Sequence, residues 1–180
     1  MNFRKMSCRM LIAFGLVAGA TGAMAQSSAT TTGNATATVI RPITIVNAGD
    51  LAFGNVVPSG IAGTLALTAA SSTVATAAGG ITQPVATPGI RTAAVFTVGG
   101  EGGFTYAITL PSTPQTITGP AAATMTVTAF TSSPSATGTL SNALGSAGTQ
   151  TLYVGGTLNV GVNQGAGSYT GTFGVTVAYN

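Results

Sequence analysis

The chain has 180 residues, a formal net charge of +3, no histidine and one cysteine. Three of its five basic residues lie within the first nine positions, which leaves only Arg41 and Arg91, far apart in the chain. Two such residues exclude nucleic-acid binding, which needs several phosphate-neutralising Lys or Arg side chains on one face. With two carboxylic side chains and no histidine, the chain also lacks the groups for general acid–base catalysis or for a metal site. We therefore predict no enzyme activity, no cofactor, no metal and no nucleic-acid partner.

Residues 1–25 have the pattern of a cleaved export signal. Three basic residues precede the apolar run 10–20, which has the length of a signal-peptide core and is too short to span a bilayer. Ala, Met and Ala at 23–25 then form a cleavage site, so the mature chain is predicted to begin at Gln26. The alternative is an uncleaved N-terminal anchor. We expect export to the periplasm, the cell surface or the medium, without membrane insertion of the mature chain.

Signal removal would leave a neutral chain of about 155 residues, which is enough for one hydrophobic core without a disulfide. Its charged side chains are Arg41, Asp50, Arg91 and Glu101. Asp50 ends the turn "NAGD" and is predicted to hydrogen bond nearby backbone, whereas Glu101 lies in a Gly-rich loop and is predicted to be solvated. Arg41 precedes a proline in a predicted strand, which places it at a sheet edge.

After a flexible arm over residues 26–34, residues 35–180 are predicted to form one domain built from strands. Apolar residues alternate with Thr at period two, as expected for half-buried strands, and turn residues separate the runs at intervals of roughly ten residues. This predicts an all-β, immunoglobulin-like antiparallel β-sandwich with about seven to nine strands and negligible helix. The predicted strands lie near 35–45, 51–57, 62–68, 93–98, 104–110, 123–130, 150–161 and 168–179. Residues 70–91 carry no clear pattern, and 132–148 are predicted to form a long loop.

The last predicted strand has the cleanest alternation in the chain. Termini are usually frayed and polar, so we predict that this strand is part of the core and lies beside an assembly groove. The residues on its inward side are Tyr169, Gly171, Phe173, Val175, Val177 and Tyr179.

Two resemblances follow from these segments. "LAFGNVVPSG" and "LYVGGTLNVGVNQGAGSYTGTFGVTVAYN" resemble a bacterial family of secreted proteins, the domain of unknown function 4402, which implies export and a β-sandwich but no established activity. More loosely, the last strand is similar to that of chaperone–usher fimbrial subunits and spore coat U type domains, with Tyr179 matching their penultimate aromatic. Those sandwiches lack one strand, which a neighbour's N-terminal extension supplies. The extension here carries mainly Ala and Thr, where such donors carry bulky apolar residues.

Two functional hypotheses are compatible with this sequence. The first is a pilin-like structural subunit of the cell surface that associates by strand addition, in which backbone hydrogen bonds give affinity. Its partners would be further copies of itself or other surface subunits, with a periplasmic chaperone during assembly. The alternative is a monomeric secreted module that binds glycan or a surface protein.

Overall fold

A computed structural model describes residues 27–180, so the signal-peptide prediction for 1–25 lies outside the described residues. The strands are β1 (Thr44–Gly49), β2 (Val57–Leu67), β3 (Ala75–Thr82), β4 (Ala94–Glu101), β5 (Thr105–Thr109), β6 (Gln115–Thr118), β7 (Thr124–Ser133), β8 (Thr137–Thr139), β9 (Ala147–Val160) and β10 (Thr176–Tyr179), with one 3-10 turn at Pro120–Ala122. In this part of the chain no helix has the length and apolar character needed to cross a membrane.

The ten strands form two antiparallel sheets, which confirms the predicted all-β sandwich. The larger sheet has seven strands along the path β1-β4-β9-β2-β3, with β7 pairing both β9 and β6, and the smaller has the order β10-β5-β8. β9 organises the larger sheet. Its first half pairs with β4 and its second half with β2, while β7 pairs residues 153–159.

The core follows the period-two pattern of the sequence. Leu65 and Leu67 are buried in β2, as are Leu152 and Val154 in β9, and a fully buried Val, Leu or Ile contributes roughly 1.5–3 kcal/mol. Tyr106 of β5 is also fully buried. Its hydroxyl donates to Gln150 Oε1 at 2.8 Å, and burial raises the pKa of Tyr106.

The strand predictions were wrong in three regions. β6 lies where no strand was predicted, β8 lies in the predicted loop, and the predicted strand at 51–57 forms only a bridge at Ala52 before β2 begins at Val57. β3 lies in residues 70–91, which the sequence left unassigned. Only Ile81 of β3 is buried, so apolar alternation cannot reveal this strand. Pairing with β2 holds it in place instead.

The predicted strand near 35–45 was also wrong in its bounds. β1 begins at Thr44, and residues 27–39, here called the N-terminal extension, are exposed and lie outside any strand. Pro42 has no N–H to give to a ladder, and the first pairing follows it, between Thr44 and Gly99. The alternation of Thr with apolar residues before position 44 was therefore not a sufficient indication of a paired strand.

Candidate assembly site at the C-terminal edge

The stretch from Tyr169 to Tyr179, here called the C-terminal edge, is paired at its two ends and unpaired in its middle. Thr170 and Thr118 exchange two backbone hydrogen bonds of 2.8 and 3.0 Å, and β10 pairs with β5. Between these points, residues 171–175 make no hydrogen bond to any part of the chain that the structure describes. The prediction of one strand over 168–179 was therefore too long, because it includes five residues without a partner strand.

Where the C-terminal edge is paired on one side, its backbone is free on the other. Thr170 bonds Thr118 and Asn180 N donates to Thr105 O at 3.3 Å, so even-numbered residues point toward 105–118. Successive residues of an antiparallel strand direct their N–H and C=O groups to opposite sides. The odd-numbered residues therefore point away from β5, and β10 is the outermost strand of its sheet. Such a free edge is a template for another strand.

Alternate side chains of this edge anchor it to the core. The ring of Phe173 stacks on Phe130 at a centroid distance of 5.0 Å and meets Phe96 edge-on at 6.3 Å. The intervening Thr172 and Gly174 are exposed. Four of the predicted inward residues pack against one core cluster: Phe173, Val175, Val177 and Tyr179.

The two remaining predicted residues lie where the edge meets β6. Tyr169 donates its hydroxyl proton to Gly165 O at 2.7 Å and accepts from Gln164 Nε2 at 2.9 Å, so it fixes the preceding loop. Gly171 is exposed, but a Cβ there would lie 2.7 Å from Thr116 O. Close backbone approach, rather than an inward side chain, requires glycine at this position.

An apolar groove of about 1380 Å³, here called the inter-sheet groove, borders the C-terminal edge. Its lining includes residues 47, 50–58 and 164–173. Its apolar lining includes Ala94, Phe96, Ile117, Met125, Val127, Phe130, Leu158 and Val160. An extended segment lying in this groove would reach the apolar lining and the free backbone of Phe173 together.

The far end of the edge is held by a group of four residues, here called the Arg41 clamp. Glu101 is only 3% exposed, and its Oε2 accepts from Arg41 Nη1 at 3.0 Å and from Arg41 N at 3.2 Å. Its Oε1 accepts from Gly145 N at 2.6 Å. The Tyr179 hydroxyl accepts from Glu101 N at 2.7 Å and donates to Arg41 O at 2.9 Å. The penultimate aromatic therefore ties the end of the chain to the start of the domain.

The prediction that Glu101 is solvated was wrong, because long-range partners bury it. Backbone hydrogen bonds from Arg41 and then from Gly145 lower the pKa of Glu101. Arg41 itself lies before β1 rather than within an edge strand. These residues are distant along the chain, so neither the contact nor the burial could be found from local pattern.

Asp50 also lines the inter-sheet groove. Its Oδ1 accepts from Asn47 Nδ2 at 2.8 Å, so its partner is a side chain and the predicted bond to backbone was wrong. Within residues 27–180 no three His, Cys, Asp or Glu side chains come together to hold a metal ion.

The comparison with protein families gives one match. The model named Domain of unknown function (DUF4402) matches residues 43–179, well over half of the chain, and confirms the resemblance seen in the sequence. No curated protein and no solved structure matches the chain. The matched range holds all ten strands and the C-terminal edge, whereas Arg41 and the N-terminal extension precede it.

Proposed function

We propose that this chain, which belongs to the DUF4402 family, is an exported, pilin-like structural subunit of the cell surface that assembles by strand addition. The observation that carries the proposal is the unpaired backbone of residues 171–175 on a free edge beside an apolar groove. In this proposal the sandwich is an open, immunoglobulin-like one, and a strand from a partner completes it. The partner is another surface subunit, and a periplasmic chaperone is expected to protect the edge before assembly.

Strand addition would draw on two sources of free energy. The odd-numbered residues of the edge, including Phe173, Val175 and Val177, would each accept and donate backbone hydrogen bonds, at a net gain of roughly 0.5–1.5 kcal/mol per bond. Apolar side chains entering the inter-sheet groove would add about 25 cal/mol for each Å² removed from water. Because association costs roughly 4–15 kcal/mol, several bonds and two or three buried side chains are needed together for a stable contact between subunits.

The alternative function, a monomeric module that binds glycan, has weaker support. Four amides line the inter-sheet groove, and amides are good partners for sugar hydroxyls. One of them, Asn55, donates to Thr87 O at 2.9 Å. Each of the other three also has a partner within the chain: Asn47 bonds Asp50, Gln115 bonds Thr113 and Gln164 bonds Tyr169. Much of the remaining lining is apolar surface, and the adjoining backbone of residues 171–175 is unpaired, which favours an extended peptide over a sugar.

Substitution of Val175 tests the proposal, since its N–H points to the free side. Val175→Pro removes that donor, and Val175→Ala is the matched control because it loses similar packing but keeps the N–H. We expect the parent protein and Val175→Ala to form concentration-dependent assemblies in size-exclusion chromatography with light scattering, and Val175→Pro to stay monomeric. A parent protein that is monomeric at every concentration overturns the proposal.

Amide exchange gives a second readout in case Val175→Pro does not fold. In the unaltered protein, the amides of Phe173, Val175 and Val177 should exchange freely in dilute monomer and become protected on assembly. Thr176 and Ala178, whose amides face β5, should be protected in both states. Assemblies that leave the odd-numbered amides unprotected would show that association uses another surface.

A further inference from the structure

We infer that β3 is a second association surface, through which two copies of this chain pair edge to edge around a two-fold axis at Thr76. This contact goes beyond strand addition and does not depend on it, because it uses a different strand of the other sheet. The starting observation is that β3 is an outermost strand of the larger sheet, with β2 as its neighbour. Its eight residues make it longer than the other outermost strands of the described chain, since β1 has six, β6 and β10 have four each, and β8 has three.

The first part of β3 lacks the features that usually keep a free edge from pairing. Proteins protect such edges with charged side chains, proline, bulges or very short strands. Residues 74–82 contain no charged residue and no proline, and the residues at 76–78 are exposed. The outermost strand at the other end of the path, β1, is instead interrupted by a register irregularity between Asn47 and Gly49. β3 is therefore the long edge that is open to a partner strand.

The backbone groups of Ala75 and Ala77 face the free side of this edge. Thr68 N donates to Val74 O at 3.1 Å, so the backbone of Val74 points toward β2. Because these groups alternate along a strand, Thr76 also points toward β2, whereas Ala75 and Ala77 point away from it. Neither alanine has a backbone hydrogen bond to any described residue outside the strand ladder. Both N–H groups and both C=O groups are therefore available to a second chain.

The regular part of the edge is complementary to itself. At Gly79 the φ angle is +72° and the pairing with β2 changes register, so regular alternation is limited to residues 74–78. The centre of that range is Thr76. Antiparallel pairing about this centre places Ala75 opposite Ala77 of the second copy, and such a pair exchanges both of its hydrogen bonds. The second copy makes the same contacts in return, as a two-fold interface requires.

The side chains of residues 74–78 also suit pairing with a second copy. Thr76 would lie opposite Thr76 of that copy, which is a favourable cross-strand pair. Val74, whose side chain is 59% exposed, would lie opposite Ala78 of that copy and lose contact with water. A charge at Thr76 would face its own copy across the axis and repel it. The neutral composition of this range therefore favours the pairing of like with like.

Combined with strand addition, this contact would pair the polymers side by side. Stable interfaces bury about 1,200–2,000 Å², which is more than one pair of five-residue segments supplies, so two free monomers would associate only weakly. Strand addition joins subunits head to tail in an open chain, whereas the β3 contact is closed by its two-fold axis. Along two such chains the β3 contacts act together, which strengthens the pairing.

Disulfide trapping tests the two-fold axis. Thr76→Cys is compared with Ala78→Cys, which is exposed on the same face of β3, and both variants carry Cys8→Ser so that the new cysteine is the only one. The axis places the two copies of residue 76 opposite each other, but those of residue 78 about 13 Å apart along the strand. Because a disulfide needs Cα atoms roughly 4.4–6.8 Å apart, we expect at least about tenfold more covalent dimer from Thr76→Cys. Equal yields, or no dimer from Thr76→Cys in concentrated protein, would overturn the inference.

Charge substitution with amide exchange tests the contact without a covalent trap. In the parent, the amides of Ala75 and Ala77 should become protected as the concentration rises. Thr76→Lys alone and Thr76→Glu alone should lose that protection, and an equimolar mixture of the two should regain it, because opposite charges then face each other. The amide of Ala78 faces β2 and should be protected throughout, which shows that each variant is folded.

The same measurement separates this inference from the proposed function. Strand addition is observed at the amides of Phe173 and Val175, which are distant from β3 in the chain. Protection of Ala75 and Ala77 with free exchange at Phe173 and Val175 would support the β3 contact and contradict strand addition. Free exchange of Ala75 and Ala77 at every concentration, or protection that persists in both single-charge variants, would overturn the β3 contact whatever the C-terminal edge does.

Discussion

β9 and the C-terminal edge differ in how they are paired, although both carry apolar residues at alternate positions. β9 has β4 and β2 along one side and β7 along the other, and four of its residues, including Leu152 and Val154, are core residues. The C-terminal edge has neighbours on one side only, and residues 171–175 have none. The alternation of apolar and polar residues therefore indicates which side chains are buried, but it does not indicate whether the backbone is hydrogen bonded to a neighbouring strand.

Deletion of the end of the C-terminal edge should have the largest effect. A chain truncated after Gly174 loses β10 and, with it, Val175, Val177 and Tyr179, which pack against the core. Full burial of such side chains contributes roughly 1.5–3 kcal/mol each, against a typical total stability of about 5–15 kcal/mol. We expect the truncated protein to be unfolded or degraded, as measured by soluble yield and by circular dichroism. Accumulation of folded truncated protein would show that the edge is dispensable to the sandwich.

Alanine substitutions should lower the free energy of unfolding more in β9 than in the C-terminal edge, because β9 is more deeply buried. Leu152 of β9 is fully buried in the core cluster that includes Tyr106 of the second sheet, so Leu152→Ala should cost about 2–5 kcal/mol. Val175 is partly exposed and loses fewer methyl groups, so Val175→Ala should cost about 1 kcal/mol. Urea denaturation of dilute monomer measures both. Equal costs would mean that the C-terminal edge is packed as tightly as β9.

The sequence was sufficient for the parts of the fold where bulky residues alternate. β2, β4, β5, β7 and β9 all lie at or near predicted strands, since their apolar side chains report burial directly. β3, β6 and β8 were not predicted, because they are short or consist largely of Ala, Gly and Thr, whose small side chains give no apolar alternation. In the same way, only part of the candidate site could be predicted from the sequence. The inward residues from Phe173 to Tyr179 could be found from alternation. The missing pairing of residues 171–175 could not, since it arises where β5 ends at Thr109 and β6 begins only at Gln115.

The Arg41 clamp was beyond local reasoning for a different reason. Its residues are separated by up to 138 positions in the chain, and the sequence shows only a carboxylate among glycines. The one available signal was that an Arg and a Glu are each rare in this chain, with four charged residues after position 25. A rare charge in an apolar domain is a candidate for a buried pair.

Acid should loosen the clamped end of the edge without a direct effect on β9. Because the folded-state pKa of Glu101 is lowered from 4.5, its stabilising contribution is present above that value and is lost as the pH falls through the folded pKa. The melting temperature of the parent should therefore fall as the pH drops below about 4.5, and Glu101→Gln should flatten that dependence. Asp50→Asn is the matched control and should retain the fall, because Asp50 lies outside the clamp. Identical acid profiles for the parent and Glu101→Gln would contradict this assignment.

Serine substitutions on the outward face of the C-terminal edge should have the smallest effect and define its register. Thr172, Thr176 and Ala178 are exposed, and their side chains make no hydrogen bond to the described residues. Exposed substitutions of this kind usually change stability by no more than about 0.5 kcal/mol each. A shift of one residue would exchange the two faces of the strand, so the triple serine variant would then remove buried methyl groups and lower the melting temperature clearly. A melting temperature near that of the parent, together with failure of the chain truncated after Gly174, is the combination that the observed register requires. The same serine variant should still assemble, because strand addition uses the backbone of the odd-numbered residues and all three substituted positions keep a small side chain.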